Sequence, residues 1–313
     1  MNGKNLNIIE DHAGRRIDNY LINVYKSLPK SKIYSMIRKG EIRVNSGRIK
    51  PTYKLKLNDE IRIPPYLIDF DNDRPDIKIP PSRIQAFDAS IIYQNEDYVV
   101  VNKESGLSVH SGTNNQFGLI DIARAKFPLL EIDLCHRIDK STSGCILLAK
   151  NKKFLRHFNK QLKANEVVKK YEAILVGVLK KNMKIESNID ISTKEHHHKV
   201  QEAEDGKKAI STFKVLKKFN SFTHVEILIS TGRMHQIRVQ SSNLNHPIVN
   251  DKKYGLFDLN KYIVKKTSIN RLALHAASIS FQDLNRKTVN YHATINNEFD
   301  ILLSQLSNLT VKI

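Results

Sequence analysis

The chain has 313 residues, 27% charged and 40% hydrophobic, with a net charge of +19. Its longest apolar runs, such as Cys145 to Ala149, are far short of a bilayer span. The opening MNGKNLNIIEDH lacks the apolar core of a secretory signal, and two cysteines without CxxC spacing exclude a disulfide framework. The expectation is a soluble, cytoplasmic protein of two or three domains whose positive field suits a polyanion or an anionic membrane surface.

The charge is unevenly spread. Residues 1–64 hold 14 Lys and Arg against 6 Asp and Glu, whereas residues 65–99 hold 3 against 7. The remaining excess lies in residues 100–313. Two basic bodies with an acidic connector are therefore expected: a first domain over 1–64, a linker over 65–86 and a second domain over 87–313. The connector, PPYLIDFDNDRPDIKIPPSR (64–83), holds five prolines and no sustained period, which predicts an extended tether.

In the first body, Ile17, Leu21, Val24 and Leu28 recur at helical spacing after Gly14. Ser31 is placed to cap a second helix that carries Ile33, Tyr34 and Ile37 and stops at Gly40. EIRVN then alternates, Ser46-Gly47 turns, and YKLKLNDEIRI alternates again. Two helices on a small twisted sheet are predicted. Lys30, Lys32, Arg38, Lys39, Arg43, Arg48 and Lys50 crowd the second helix and the following hairpin with few acids between them. Most charge runs are solvated faces, but this segment resembles an S4 domain, a small RNA-binding module. The resemblance implies that these cations contact RNA phosphates, adding affinity rather than sequence choice.

From residue 87 many short strands are predicted, in IIYQNEDYVVVNKE, CILLAKN, YEAILVGVL, STFKVLKKF, THVEILIS and HQIRVQ. Helices are predicted in GLIDIARAKF and FLRHFNKQLKAN. The fold class is α+β, with a mixed, largely antiparallel sheet in the second domain. No GxGxxG or GxxxxGK[ST] is present, so nucleotide-cofactor folds lose their main support. KEHHHK (194–199) has no completing ligand set and reads as a solvated hairpin tip rather than a metal site. Cys135 and Cys145 read as small buried hydrophobes.

The stretch HRIDKSTSGCILLAK (136–150) sets Asp139 among Arg137, Lys140 and His136. Taken alone, the carboxylate could belong to a structural ion pair or to a catalytic site. Three further stretches bear on it: VNKESGLSVHSG (101–112), KKYEAILVG (169–177) and STGRMHQIRVQ (230–240), the last followed by HPIVNDKKYG. Together the four resemble the RluA-type pseudouridine synthases over essentially all of residues 87–313. The signature His-Arg-Leu-Asp-x-x-Thr-Ser-Gly is departed from only at Ile138, and Gln240 stands where the pattern has His.

The resemblance implies isomerisation of uridines in 23S ribosomal RNA or a large-subunit assembly intermediate. It implies no cofactor, no metal, no membrane and no obligate protein partner. It assigns Asp139 as the reacting acid, Arg233 as its paired cation and Tyr171 as the ring that stacks on uracil. Arg137 would fill the space left by an extruded nucleotide or hold flanking phosphates. Lys103 and Arg238 are further candidates for RNA-backbone contacts, with sheet-edge structure as the alternative. His136 and His235 read as structural hydrogen-bonders. A non-catalytic RNA-binding assembly factor is the competing reading. A hydrolase is disfavoured because no motif supplies a second carboxylate to activate water.

Overall fold

The structure is a computed structural model, described here over residues 4–25, 28–67, 78–111, 116–192, 199–203, 206–295 and 297–311. Contacts divide the chain into two units, Met1–Lys78 and Ile79–Ile313.

The first unit runs β1 (Lys4–Asn7), α1 (Ile17–Val24), α2 (Lys30–Lys39), β2 (Arg43–Val44) and β3 (Glu60–Ile63). Its three strands pair antiparallel in the order β1-β3-β2. Ile17 and Leu21 of α1 and Ile33, Met36 and Ile37 of α2 are buried with Ile42, Val44, Ile61 and Ile63. Helical and alternating apolar patterns thus meet in one core. Helix α1 ends at Val24, so Leu28 enters the core from beyond the helix. Pro29, not Ser31, is the N-cap of α2, and no side chain caps the helix there. Gly40 ends α2 at φ 73°, a left-handed cap that a side chain would disfavour. The hairpin turn uses positive φ at both Asn45 and Ser46, with Val44 and Gly47 exchanging main-chain hydrogen bonds. Of the expected alternation in YKLKLNDEIRI, only Glu60–Ile63 is a strand. Lys54 makes a single bridge to Arg16.

Residues 68–77, the middle of the expected tether, lie outside the described residues. Its end is not extended: Pro81–Ala89 forms helix α3 with a proline at its first position, where a missing N–H costs no helical bond. The second unit continues through β4 (Ile91–Gln94), β5 (Tyr98–Lys103), α4 (Leu119–Lys126), β6 (Asp133–Leu134), β7 (Ser143–Ala149), α5 (Lys152–Ala164) and β8 (Val168–Val176). It then passes through β9 (Met183–Ser192), β10 (Lys199–Glu202), β11 (Lys207–Lys218), β12 (Phe222–Ile229), α6 (Gln236–Asn243), α7 (Phe257–Thr267), β13 (Leu274–Gln282), β14 (Thr288–His292) and α8 (Asn297–Ser307). The histidines of KEHHHK fall outside the described residues.

One sheet runs β10-β9-β11-β12-β8-β13-β7-β5-β4, with β14 added on β13 and β6 on β7. Among the described residues only β13 and β7 pair in parallel; the sheet is mixed and largely antiparallel, as the residue pattern predicts. Strand β7 is buried along its whole length. Ile146 and Leu148 enter one core with Val99 and Val101, while Leu147 enters another with Tyr98, Phe154 and Phe158. That double burial is why CILLA is an unbroken apolar run rather than an alternating one. Cys135 and Cys145 are free thiols buried in that second cluster.

At the parallel junction Gly144 has φ +112°, and a Cβ there would sit 2.2 Å from the Ala276 carbonyl oxygen. Beside it the Ser143 hydroxyl accepts from Arg271 Nη2 at 2.7 Å and lies 2.8 Å from His275 Nδ1. The Thr-Ser-Gly turn therefore closes β7 onto β13 and fixes the loop that precedes it.

One predicted strand is corrected. HQIRVQ is not a strand but the start of helix α6. Its alternation of Ile237 and Val239 with Gln236, Arg238 and Gln240 imitates a two-faced strand, yet all five side chains are buried. The polar ones are satisfied inside: Gln236 donates to the Ile210 carbonyl, and Gln240 donates to Ser187 Oγ and the Ala209 carbonyl. Gln240 is thus a packing residue against β9 and β11.

Candidate active site

Asp139 lies in the loop between β6 and β7. The Thr142 N–H donates to its carbonyl at 3.1 Å, which turns the chain there. The loop is strapped to the end of β5 and the segment after it by three hydrogen bonds. Gly106 N–H and Lys103 Nζ donate to the Lys140 carbonyl at 2.8 and 3.2 Å, and Ser105 Oγ donates to the Ser141 carbonyl at 2.7 Å. Residues of VNKESG therefore hold the Asp139 loop from outside it.

This corrects the expectation for Lys103. Its side chain is buried, and its ammonium also donates to the Glu104 and Leu107 carbonyls at 2.8 Å each, so it is not placed to meet RNA. Burial pulls that ammonium down to about 7, with the charges of Glu104 and Asp139 opposing the fall.

The cation on Asp139 is Arg238, not Arg233. Arg238 Nη1 lies 3.2 Å from Asp139 Oδ2, while Nε and Nη2 each reach an oxygen of Asp251 at 2.8 Å. Asp251 is fully buried and also accepts the main-chain N–H groups of Lys253 and Tyr254. Burial works against charge on both partners of the Arg238–Asp251 pair. The contact outweighs it, raising the guanidinium and holding the Asp251 carboxyl below its ordinary value. The Tyr254 ring lies 5.1 Å from the guanidinium carbon. Arg238 is therefore a buried brace and not an RNA-backbone contact. Arg233 donates through Nε to the Lys208 carbonyl at 3.0 Å and remains exposed at the rim of the same cleft.

The helical start of α6 accounts for the difference. Positions three apart share a helix face, so His235 at the N-cap and Arg238 both approach Asp139. His235 Nε2 lies 3.7 Å from its carboxylate, and Nδ1 lies 2.8 Å from the Tyr254 hydroxyl. Burial lowers the His235 imidazole, with the Asp139 charge opposing.

Tyr171 sits on β8 opposite Ile227 of β12 and lines the cleft with Asp139, Arg137 and Lys169. The cleft measures about 370 Å³. Burial pushes the Tyr171 phenol up, and the Asp139 charge adds to this, so it stays protonated at neutral pH. Arg137 is exposed at the cleft. His136 points the other way in its chemistry: its Nε2 accepts the Leu147 N–H at 3.1 Å, a structural bond. Burial, aided by the Lys169 charge, lowers its imidazole to about 3.

In the first unit, Lys30, Lys32, Arg38, Lys39, Arg48 and Lys50 are exposed. Arg43 is half-buried and donates to the Gly40 carbonyl at 3.0 Å, bracing the end of α2. Among the described residues no three His, Cys, Asp or Glu side chains gather as metal ligands, and no helix is long and apolar enough to cross a membrane.

These features have counterparts in known proteins. Residues 97–243 match the family model for RNA pseudouridylate synthase, and residues 15–61 match the S4 domain. The chain is 38% identical over 97% of its length to a Haemophilus influenzae protein, of which 95% is covered, named ribosomal large subunit pseudouridine synthase C. It is 40% identical over 90% of its length, and 90% of the relative, to a Buchnera aphidicola protein of the same name. Among solved structures, human RNA pseudouridylate synthase domain containing 4 superposes with a TM-score of 0.60 at 26% identity, covering 71% of this chain and 95% of that one. With an S4 domain ahead of a synthase fold whose Asp139 lies in a cation-braced cleft, this chain belongs to the RNA pseudouridylate synthase family.

Proposed function

We propose that this protein converts uridines of 23S ribosomal RNA into pseudouridine. In this reading Asp139 is the reacting carboxylate, Arg238 its paired cation and Tyr171 the ring against which uracil packs. The reaction breaks the N1–C1′ bond, turns the uracil and joins C5 to C1′. The C5 proton leaves and N1 gains one, so nothing is consumed. Positive charge grows on the ribose as the first bond breaks. A carboxylate beside C1′ can add to it or take the neighbouring C2′ proton.

One observation carries the reading: a single guanidinium spans two carboxylates of opposite standing. Asp251 is fully buried and takes both bidentate bonds, leaving Asp139 in the cleft with one. Asp251 is thereby spent on bracing, so it does not serve as a second acid or base, which disfavours hydrolysis. A protein that only held RNA would gain nothing from a carboxylate in its cation-lined groove, because that charge repels phosphate.

The target atoms lie within stacked RNA, so the nucleotide must be extruded at a cost of a few kcal/mol. The exposed Arg137 at the cleft suits a flanking phosphate or the vacated space. The exposed cations of α2 and the following hairpin suit phosphates of a structured RNA, free or within a large-subunit assembly intermediate, and that substrate implies a cytoplasmic protein. The test is a map of pseudouridines in 23S ribosomal RNA from cells with and without the gene. Loss of specific sites, restored by the intact gene, is expected. Identical maps would contradict the reading.

A further inference from the structure

Helix α5 carries Lys153, Arg156, Lys160 and Lys163, all exposed. Their spacing of three, four and three residues sets them in one stripe, about 15 Å long at 1.5 Å per residue. The opposite face buries Phe154, Phe158 and Gln161, so the helix cannot roll. No Asp or Glu occurs anywhere in the helix. None of the four cations has an ion pair or hydrogen bond among the described residues.

Helix stability does not select this arrangement. Like charges at these spacings repel, and Lys153 in the first turn opposes the helix dipole; of the four only Lys163, in the last turn, suits it. An ordinary solvated face interleaves acids with its bases, and this one does not. The stripe also leads somewhere. Leu162 in the last turn, with Asn165 and Lys169 just beyond, lines the cleft that holds Asp139 and Arg137.

We propose that the exposed face of α5 is an RNA-binding surface in the second unit, taking the phosphates of the strand that leads to the extruded uridine. This deepens the reading given under Proposed function and rests on it for the identity of the strand. The stripe faces several successive phosphates, since a duplex strand carries one per about 3.4 Å of axis. It adds affinity and orients the strand without reading bases.

The test replaces the four residues together, Lys153→Ala, Arg156→Ala, Lys160→Ala and Lys163→Ala, in the full chain. Alanine favours the helix, so the thermal midpoint should hold or rise. With in vitro transcribed 23S ribosomal RNA, KM should rise by about tenfold or more while kcat at saturating RNA stays within about twofold. The slope of log affinity against log salt should shrink by about 3, at roughly 0.7–0.9 per lost phosphate contact. A second variant, Lys153→Arg, Lys160→Arg and Lys163→Arg, should keep the wild-type slope.

Unchanged KM and slope in the alanine variant would overturn the proposal. So would loss of slope in the arginine variant, or a defect seen with assembly particles but not with naked RNA, which would assign the face to a protein. If wild-type protein forms no pseudouridine yet the alanine variant still loses slope, the proposed function fails and the surface stands. If pseudouridine forms and the slope is unmoved, the reverse holds.

Discussion

Arg238 Nη1 donates to Asp139 Oδ2 at 3.2 Å across 99 residues of sequence, and the same guanidinium grips buried Asp251 through two bonds of 2.8 Å. The order of strength matters. The pair of hydrogen bonds to a carboxylate that also accepts two main-chain N–H groups fixes the guanidinium. The single bond then sets where the cleft carboxylate points. Positioning is thus established before substrate arrives, which is how geometry lowers a barrier without reorganisation at the moment of reaction.

Arg238 and Arg233 are separable on this basis. Arg238→Ala should lower kcat by about 10²-fold or more, in line with the cost of misplacing a reacting group. Arg233→Ala, which loses an exposed contact to the Lys208 carbonyl, should act mainly on KM. Steady-state kinetics on ribosomal RNA distinguishes them, and equal losses in kcat would return Arg233 to the pairing role.

Asp251→Asn leaves the Arg238 charge buried with only Asp139 to meet it. Removing one partner of a buried pair costs about 3–5 kcal/mol. Urea unfolding should show a loss of that size, together with reduced kcat. Full stability would mean that Asp251 does not brace the site.

Tyr171→Phe keeps a flat ring, whereas Tyr171→Leu keeps only bulk. Stacking a base on an aromatic side chain contributes about 1–3 kcal/mol. The Phe variant should therefore retain at least about fivefold more activity than the Leu variant. Equal losses in single-turnover assays would argue that the hydroxyl, not the ring, matters.

His136 should make folding sensitive to acid. Its imidazole is lowered from 6.5 to about 3 by burial. The unfolded chain takes a proton below 6.5 that the folded protein refuses until about 3, so stability is lost as pH falls through that window. At pH 5 the loss from this group is about 2 kcal/mol. Comparing the pH dependence of urea unfolding with that of His136→Gln, which has no such proton to refuse, checks it. Parallel curves would remove the effect.

Much of the fold was legible because its signals are local. Ile33 and Ile37 mark α2 by spacing, with Met36 buried beside them where the pattern offers Tyr34, and the apolar run at 145–149 marks a strand. What escaped was long-range. The alternation in HQIRVQ looked like a strand because its polar residues are buried and satisfied by β9 and β11, partners that no local pattern names. As a helix the segment turns His235 and Arg238 to one face toward Asp139, a placement that the resemblance, which pairs Arg233 with Asp139, does not supply. Lys103 has the spacing of a surface cation, yet the neighbouring Glu104 and Leu107 carbonyls fold over its ammonium and the Lys140 carbonyl, 37 residues on, completes the enclosure. The signal available for Arg238 was Asp251 in HPIVND, a buried-pair partner 13 residues on that becomes meaningful only once α6 is a helix.

The most direct measurement is single-turnover pseudouridine formation by Asp139→Asn on 23S ribosomal RNA, with RNA affinity measured in parallel. The substitution keeps the shape of the side chain and removes its charge. The expected result is no detectable pseudouridine with affinity within about threefold of wild type, since a neutral amide repels phosphate no more than the carboxylate does. Product formed at a rate near wild type would contradict Asp139 as the reacting group.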